Sequence, residues 1–177
     1  AGLASVILVP VGDDVAVVEV GDGVAVETPA NLDPSRRSAR VTLDRARATV
    51  IPGARRTMVD LARVILSADA VGVARECTSM GAAYSKERIQ FGRPIGTFQA
   101  IKHKCADMVI DVDGSRFITF RAAWLLNEGL EATKEVAMAK AWTSDACRRV
   151  CAQAHQIHGG IGFTKEYDLQ LYFRRAK

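Results

Sequence analysis

A chain of 177 residues is long enough to bury a core without disulfide or metal staples, and it has room for one domain or for a domain plus part of another. Hydrophobic residues make up 49% and charged residues 25%, a balance that excludes a disordered chain. The formal charge of +4 invites an anionic partner, but the basic residues interleave with Asp and Glu, so the charge forms no continuous stripe for nucleic acid.

The first fifty residues read as β-structure. Ser5 to Val11 is a short apolar run; Gly12-Asp13-Asp14 offers a turn before Val15 to Val20, and Gly21-Asp22-Gly23 offers another before Val24 to Glu27. Residues 38 to 44 alternate Ala39, Val41 and Leu43 against polar neighbours, as a half-buried strand does. Pro29, Pro34 and Pro52, with Asn31, Asp33 and Ser35, punctuate the stretch. These strands are too few to close a sheet of their own, so the sequence is expected to begin inside a β-domain.

After Ile51-Pro52-Gly53 the apolar period changes from two to about 3.6, which puts the domain boundary between 1–53 and 54–177. The pattern predicts helices from Ala54 or Thr57 to Glu87, from Thr97 to Glu128, from Glu131 to His158, and from Lys165 onward. In the third, Val136, Ala139, Thr143, Ala146, Val150, Ala154 and Ile157 recur at steps of three and four and form one apolar seam. Asn127-Glu128-Gly129 and His158-Gly159-Gly160 let the helices end, and the short connections favour antiparallel neighbours. The fold class is mainly α: an up-down four-helix bundle preceded by an incomplete antiparallel β-domain.

Cys77, Cys105, Cys147 and Cys151 lack metal-ligand spacing, so reduced core cysteines are expected and no metal. No apolar run has the length of a membrane span and the N-terminus has no secretory pattern, which makes the cytoplasm the expected compartment.

Two segments carry chemistry. Tyr84 to Met108 places a bend at Gly92, Pro94 and Gly96 between two helices, flanked by Arg88, Gln90, Phe91 and Gln99. A guanidinium fork and amides suit phosphate oxygens, an aromatic suits a flat ring, and glycines permit close backbone approach. A helix connector with surface arginines accounts for the same residues. Gln156 to Phe163 brings Gly159, Gly160 and Gly162 after a helix; their amides suit a pyrophosphate, although no strand precedes them as the dinucleotide fingerprint requires, and a helix C-cap with a turn explains them equally well.

Together the two segments are specific. Arg88-x-x-Phe91-Gly92-x-Pro94-Ile95-x-x-Phe98-Gln99, then Ala106-Asp107-Met108, Gln156-Ile157-His158-Gly159-Gly160-Ile161-Gly162-Phe163 and Leu171-Tyr172-Phe173-Arg174-Arg175-Ala176-Lys177 stand in the order and spacing of acyl-CoA dehydrogenases. The chain resembles the later strands of that family's middle β-domain followed by its C-terminal helical domain. The resemblance implies an FAD enzyme that removes hydrogens from Cα and Cβ of an acyl-CoA thioester and passes electrons to electron-transfer flavoprotein. It implies a homo- or hetero-oligomer, with a dimer of dimers expected. Arg88 and Gln90 would face the pyrophosphate and ribose of a neighbouring subunit's FAD, Phe91 would pack nearby and Gln99 would meet the adenosine end. Gln156, Gly159 and Gly160 would face FAD across the dimer.

Proton abstraction at Cα needs a carboxylate within reach. Most of the family place this Glu shortly beyond the segment ending at Lys177, and a minority place it on the first bundle helix, where Ala62 stands here. Asp60 and Arg63 match polar positions near the acyl-CoA site in relatives; an ion pair three residues apart explains them as well. Asp69, among Ala68, Ala70, Val71 and Val73, is a substitute base if its pKa is raised, with capture by an arginine or exposure as the alternatives. For His155 and His158 helix-end packing is favoured over catalysis, and Trp124 and Trp142 read as core or interface aromatics. Two functions follow: a catalytic dehydrogenase, or a non-catalytic subunit that completes a partner's FAD site.

Overall fold

The computed structural model describes residues 4–33 and 35–176; Pro34 and Lys177, named above, lie outside them. The chain divides into two compact units, one running up to Ala62 and one from Arg63 onward.

In the first unit, β1 (Val6–Val11), β2 (Asp14–Glu19) and β5 (Ala48–Ile51) form an antiparallel sheet in the order β1-β2-β5, with Val9 opposite Ala16 and Val17 opposite Thr49. A separate antiparallel pair joins β3 (Val24–Glu27) to β4 (Arg40–Leu43), with Val26 opposite Val41. The turn between β1 and β2 uses Gly12 at φ +58, a conformation open to a residue without Cβ. Among the described strand residues only Val15, Ala16 and Val18 are buried, all on the central β2; Val6, Leu8, Val50 and Ile51 are exposed.

Strand β5 was not anticipated. Thr49, Val50 and Ile51 are strand formers, but its four residues follow Arg45 and Arg47 and run straight into Pro52, too short a stretch for alternation to register, and pairing with β2 supplies the ladder.

Helix α1 (Arg55–Glu87) starts where the turn after β5 is pinned: Asp14 Oδ1 accepts from the Gly53 amide at 2.8 Å, and the Arg55 guanidinium donates to the Gly12 carbonyl at 2.8 Å. In the second unit α2 (Gln99–Asn127) and α3 (Thr133–His158) follow the predicted helices closely. All seven residues of the α3 seam are buried. The principal core joins Val73, Ala74 and Cys77 of α1, Met108 and Val112 of α2, Cys147, Val150, Cys151, Ala154 and Ile157 of α3, and Leu169. A second cluster at the other end holds Ala122, Leu125, Ala132, Val136 and Ala139.

The last segment departs from the prediction. After a 3-10 turn over Gly159–Phe163, residues 165–168 form turns and a bend, and the helix expected from Lys165 begins only at Leu169, as a short α4 (Leu169–Arg175). Gly162 explains the detour: a Cβ there would lie 3.1 Å from the His158 side chain and 3.2 Å from that of Leu169, so the chain presses on its own helix end before turning. Trp124 and Trp142, read as core or interface, are about half exposed and therefore not core.

All four cysteines are free, and Cys77, Cys147 and Cys151 are buried as expected. Cys77 and Cys151 sulfurs lie 3.7 Å apart, and a hydrogen bond to Cys151 together with burial raises the Cys147 thiol far above its ordinary range. These are inert packing thiols.

Candidate functional site

Helix α1 stops at Glu87 because the next residues turn back on it. Ile89–Gln90 (β6) and Arg93–Pro94 (β7) pair as a minimal hairpin, Gln90 opposite Arg93, around Phe91-Gly92. Both turn residues have positive φ, +52 and +78, the requirement of a type I′ turn whose twist matches antiparallel strands. Glycine meets that requirement freely; phenylalanine does so under strain. The Phe91 ring is 92% exposed at the tip, touching Phe98 edge-on with centroids 6.1 Å apart. The hairpin docks on the helix it leaves: the Ile95 amide donates to the Arg88 carbonyl at 2.8 Å, and a Cβ on Gly96 would sit 2.9 Å from the Ser85 carbonyl oxygen.

The side chains of Arg88, Gln90 and Gln99 are exposed on and beside this hairpin. Arg88 makes no ion pair or side-chain hydrogen bond among the described residues. Among the described residues the Gln90 side chain donates only to its neighbour Ile89's carbonyl, at 2.8 Å. Arg93, outside the residues expected from the sequence to meet the cofactor, lies with its guanidinium 4.4 Å above the Phe98 ring. Its signal was the spacing that makes a two-residue hairpin loop, which sets Arg93 directly across from Gln90.

The glycine corner caps α3. Gly159 adopts φ +65 and ψ −142, which a side chain would oppose, and both Gly159 and Gly160 have open space where a Cβ would stand. Gln156, one turn earlier, is exposed.

These two motifs meet at one end of the bundle. The Tyr84 ring, one turn before Arg88, stacks on His158 with centroids 4.5 Å apart, and His158 directly precedes Gly159. His158 Nδ1 donates to the Ala154 carbonyl at 2.7 Å, which leaves Nε2 to accept from the Tyr167 hydroxyl at 3.1 Å. Burial lowers the His158 pKa, the Ala154 carbonyl opposes that, and His155 adds to it; the neutral ring is the resident form. His155 is buried likewise, its Nδ1 on the Cys151 carbonyl at 2.9 Å and its ring against Phe163 and Phe173. Both histidines thus pack the helix end, and no metal-binding group of His, Cys, Asp and Glu exists among the described residues.

The remaining candidates lie elsewhere on α1. Asp60 is buried within the first unit and pairs with Arg56 at 3.9 Å, one turn back. Ala62 and Arg63 are exposed. Asp69 is held by Arg175 of α4 at two points, Nε to Oδ2 at 3.2 Å and Nη2 to Oδ1 at 2.8 Å. Two-point hydrogen bonding of this kind is an arrangement suited to fastening two helices.

Comparison with known proteins agrees with this architecture. Residues 53–177 match the family model described as acyl-CoA dehydrogenase, C-terminal domain. The chain is 38% identical over 173 residues to the acyl-CoA dehydrogenase IpdE2 of Mycolicibacterium smegmatis, covering 93% of this chain and 53% of that protein. It is 45% identical over 119 residues to a probable acyl-CoA dehydrogenase, YngJ, of Bacillus subtilis, covering 67% of this chain and 31% of the other. Among solved structures it is similar to the ChsE4-ChsE5 complex of Mycobacterium tuberculosis (TM-score 0.91, 33% identity, 99% of this chain and 50% of that one) and to butyryl-CoA dehydrogenase of Megasphaera elsdenii (TM-score 0.89, 25% identity, 99% and 51%). The chain spans about half the length of IpdE2 and of these structures. With residues 53–177 matched by that family's model and the two motifs gathered at one pole of the bundle, this chain belongs to the acyl-CoA dehydrogenase family.

Proposed function

We propose that this chain supplies the cofactor-facing C-terminal part of an FAD-dependent enzyme that removes hydrogen from Cα and Cβ of an acyl-CoA thioester. The observation that carries the reading is the meeting of the hairpin and the glycine corner through the Tyr84–His158 stack. Their residues fit a dinucleotide. Arg88 offers a fork uncommitted to any carboxylate among the described residues, Phe91 offers a projecting flat ring, and Gly159 and Gly160 leave room for phosphate to approach the backbone. In this reading Arg88 and Gln90 hold the pyrophosphate and ribose region, Phe91 packs nearby and Gln99 meets the adenosine end. Gln156, Gly159 and Gly160 face the cofactor across a subunit boundary, and Asp60 and Arg63 serve the acyl-CoA. Bound FAD supplies the hydride acceptor. Exposed Ile110, Phe117, Phe120 and Trp124 on α2 support an oligomer, and electron-transfer flavoprotein is the proposed electron acceptor.

A second reading, a non-catalytic subunit that completes the FAD site of a partner, is equally permitted by Ala62, which carries no ionisable group at the family's alternative base position. The absorption spectrum of the full-length protein, alone and with a candidate partner, tests both. Flavin bands that bleach with acyl-CoA in the isolated protein support the first; bands and bleaching that arise only with the partner support the second. A colourless protein under both conditions overturns both.

A further inference from the structure

We propose that His158 is a positioning residue that ties the hairpin to the glycine corner and so sets cofactor affinity without touching the cofactor. The inference rests on the FAD reading above and goes beyond it, since neither motif includes His158 for a contact of its own. Three contacts, two hydrogen bonds and a ring stack, define the role, each to a different stretch of chain. Nδ1 donates to the Ala154 carbonyl at 2.7 Å and fixes the ring to α3. Nε2 accepts from the Tyr167 hydroxyl at 3.1 Å and draws in the segment between the 3-10 turn and α4. The ring face stacks on Tyr84 at 4.5 Å and holds the last turn of α1.

Each partner sits next to what must be placed. The Arg88 amide donates to the Tyr84 carbonyl at 2.9 Å, so the start of the hairpin is hung from the residue that His158 stacks upon. Gly159 follows His158 directly, and Gly162 leaves room for it: a Cβ at Gly162 would lie 3.1 Å from the His158 Cβ. Tyr167 also meets Tyr84 edge-on at 6.5 Å and His158 at 5.1 Å, which closes a three-ring cluster under both motifs. A ligand gripped at two places gains affinity when the two grips are held at the correct spacing beforehand, because less order must be imposed on binding. The cluster connects the two grips, and His158 is its centre.

The test uses the full-length enzyme freed of flavin and titrated with FAD by fluorescence. Tyr167→Phe removes one hydroxyl and keeps the ring; it is expected to weaken FAD binding about three- to tenfold, the loss of one hydrogen bond's worth of preorganisation. His158→Gln is expected to weaken it at least as much, and the double variant to add little to His158→Gln alone, since both act through one bond. Arg149→Gln, which breaks the pair with Asp111 in mid-bundle, is the control for general destabilisation and should lower the melting temperature while leaving FAD affinity unchanged. If Tyr167→Phe and His158→Gln bind FAD as tightly as the parent, or if Arg149→Gln weakens binding equally, the positioning role is wrong. If the parent itself binds no FAD, the failure belongs to the FAD reading instead.

Discussion

Phe91 shows how a single residue trades stability for exposure. A non-glycine residue in the left-handed region costs roughly 1–2 kcal/mol, and its ring at the hairpin tip buries almost nothing in return. Phe91→Gly therefore raises the stability of the flavin-free protein by up to about 1 kcal/mol, after the entropy that glycine adds to the unfolded chain, and weakens FAD binding; thermal melts and flavin titration measure the two effects. His158 makes the opposite case, a group whose protonation state is built into the fold. Its folded-state pKa lies below the ordinary value of 6.5, so the neutral ring contributes stability that is complete above that value and is lost as pH falls through the folded-state pKa. Melting temperature is expected to drop more steeply in the parent than in His158→Gln between about pH 7.5 and pH 5.

Helices of this length are held by their buried faces more than by propensity, and α3 shows it. Ala139 is fully buried against the second core cluster, while Ala141, two residues on, faces outward. Ala139→Leu forces added methylenes into a filled space and costs about 1–3 kcal/mol, whereas Ala141→Leu stays within about 0.5 kcal/mol; urea titration separates them. The seam of α3 was legible because a 3.6 period with one apolar face leaves only one way to bury it. The hairpin was read as a bend with the right residues but without its strands, since two-residue strands carry no period and exist only through their pairing. Strand β5, at four residues between charged residues and Pro52, is likewise too short for its alternation to register.

At the scale of the molecule the decisive contacts join segments far apart in sequence. The Asp69–Arg175 fork fastens α4 to α1 across 106 positions, and with both side chains partly buried its loss in Asp69→Asn costs about 1–2 kcal/mol. Hydrogen exchange over 169–175 should quicken in that variant, because α4 has seven residues and is too short to persist unaided. If exchange there is unchanged, the fork is not what holds α4. The sequence alone leaves Asp69 a base role, capture by an arginine or exposure, and no local pattern names the arginine.

What the sequence determined by itself is the class of fold, the three long helices, the buried seam, and the two motifs, because these depend on residue type and on periods that repeat within one segment. Only the tertiary structure decided that the motifs share one pole of the bundle, that His158 stands between them, and that Asp69 is tied to Arg175. Such relations are set by packing among helices, where partners distant in the chain are chosen by shape, charge and hydrogen bonding rather than by spacing.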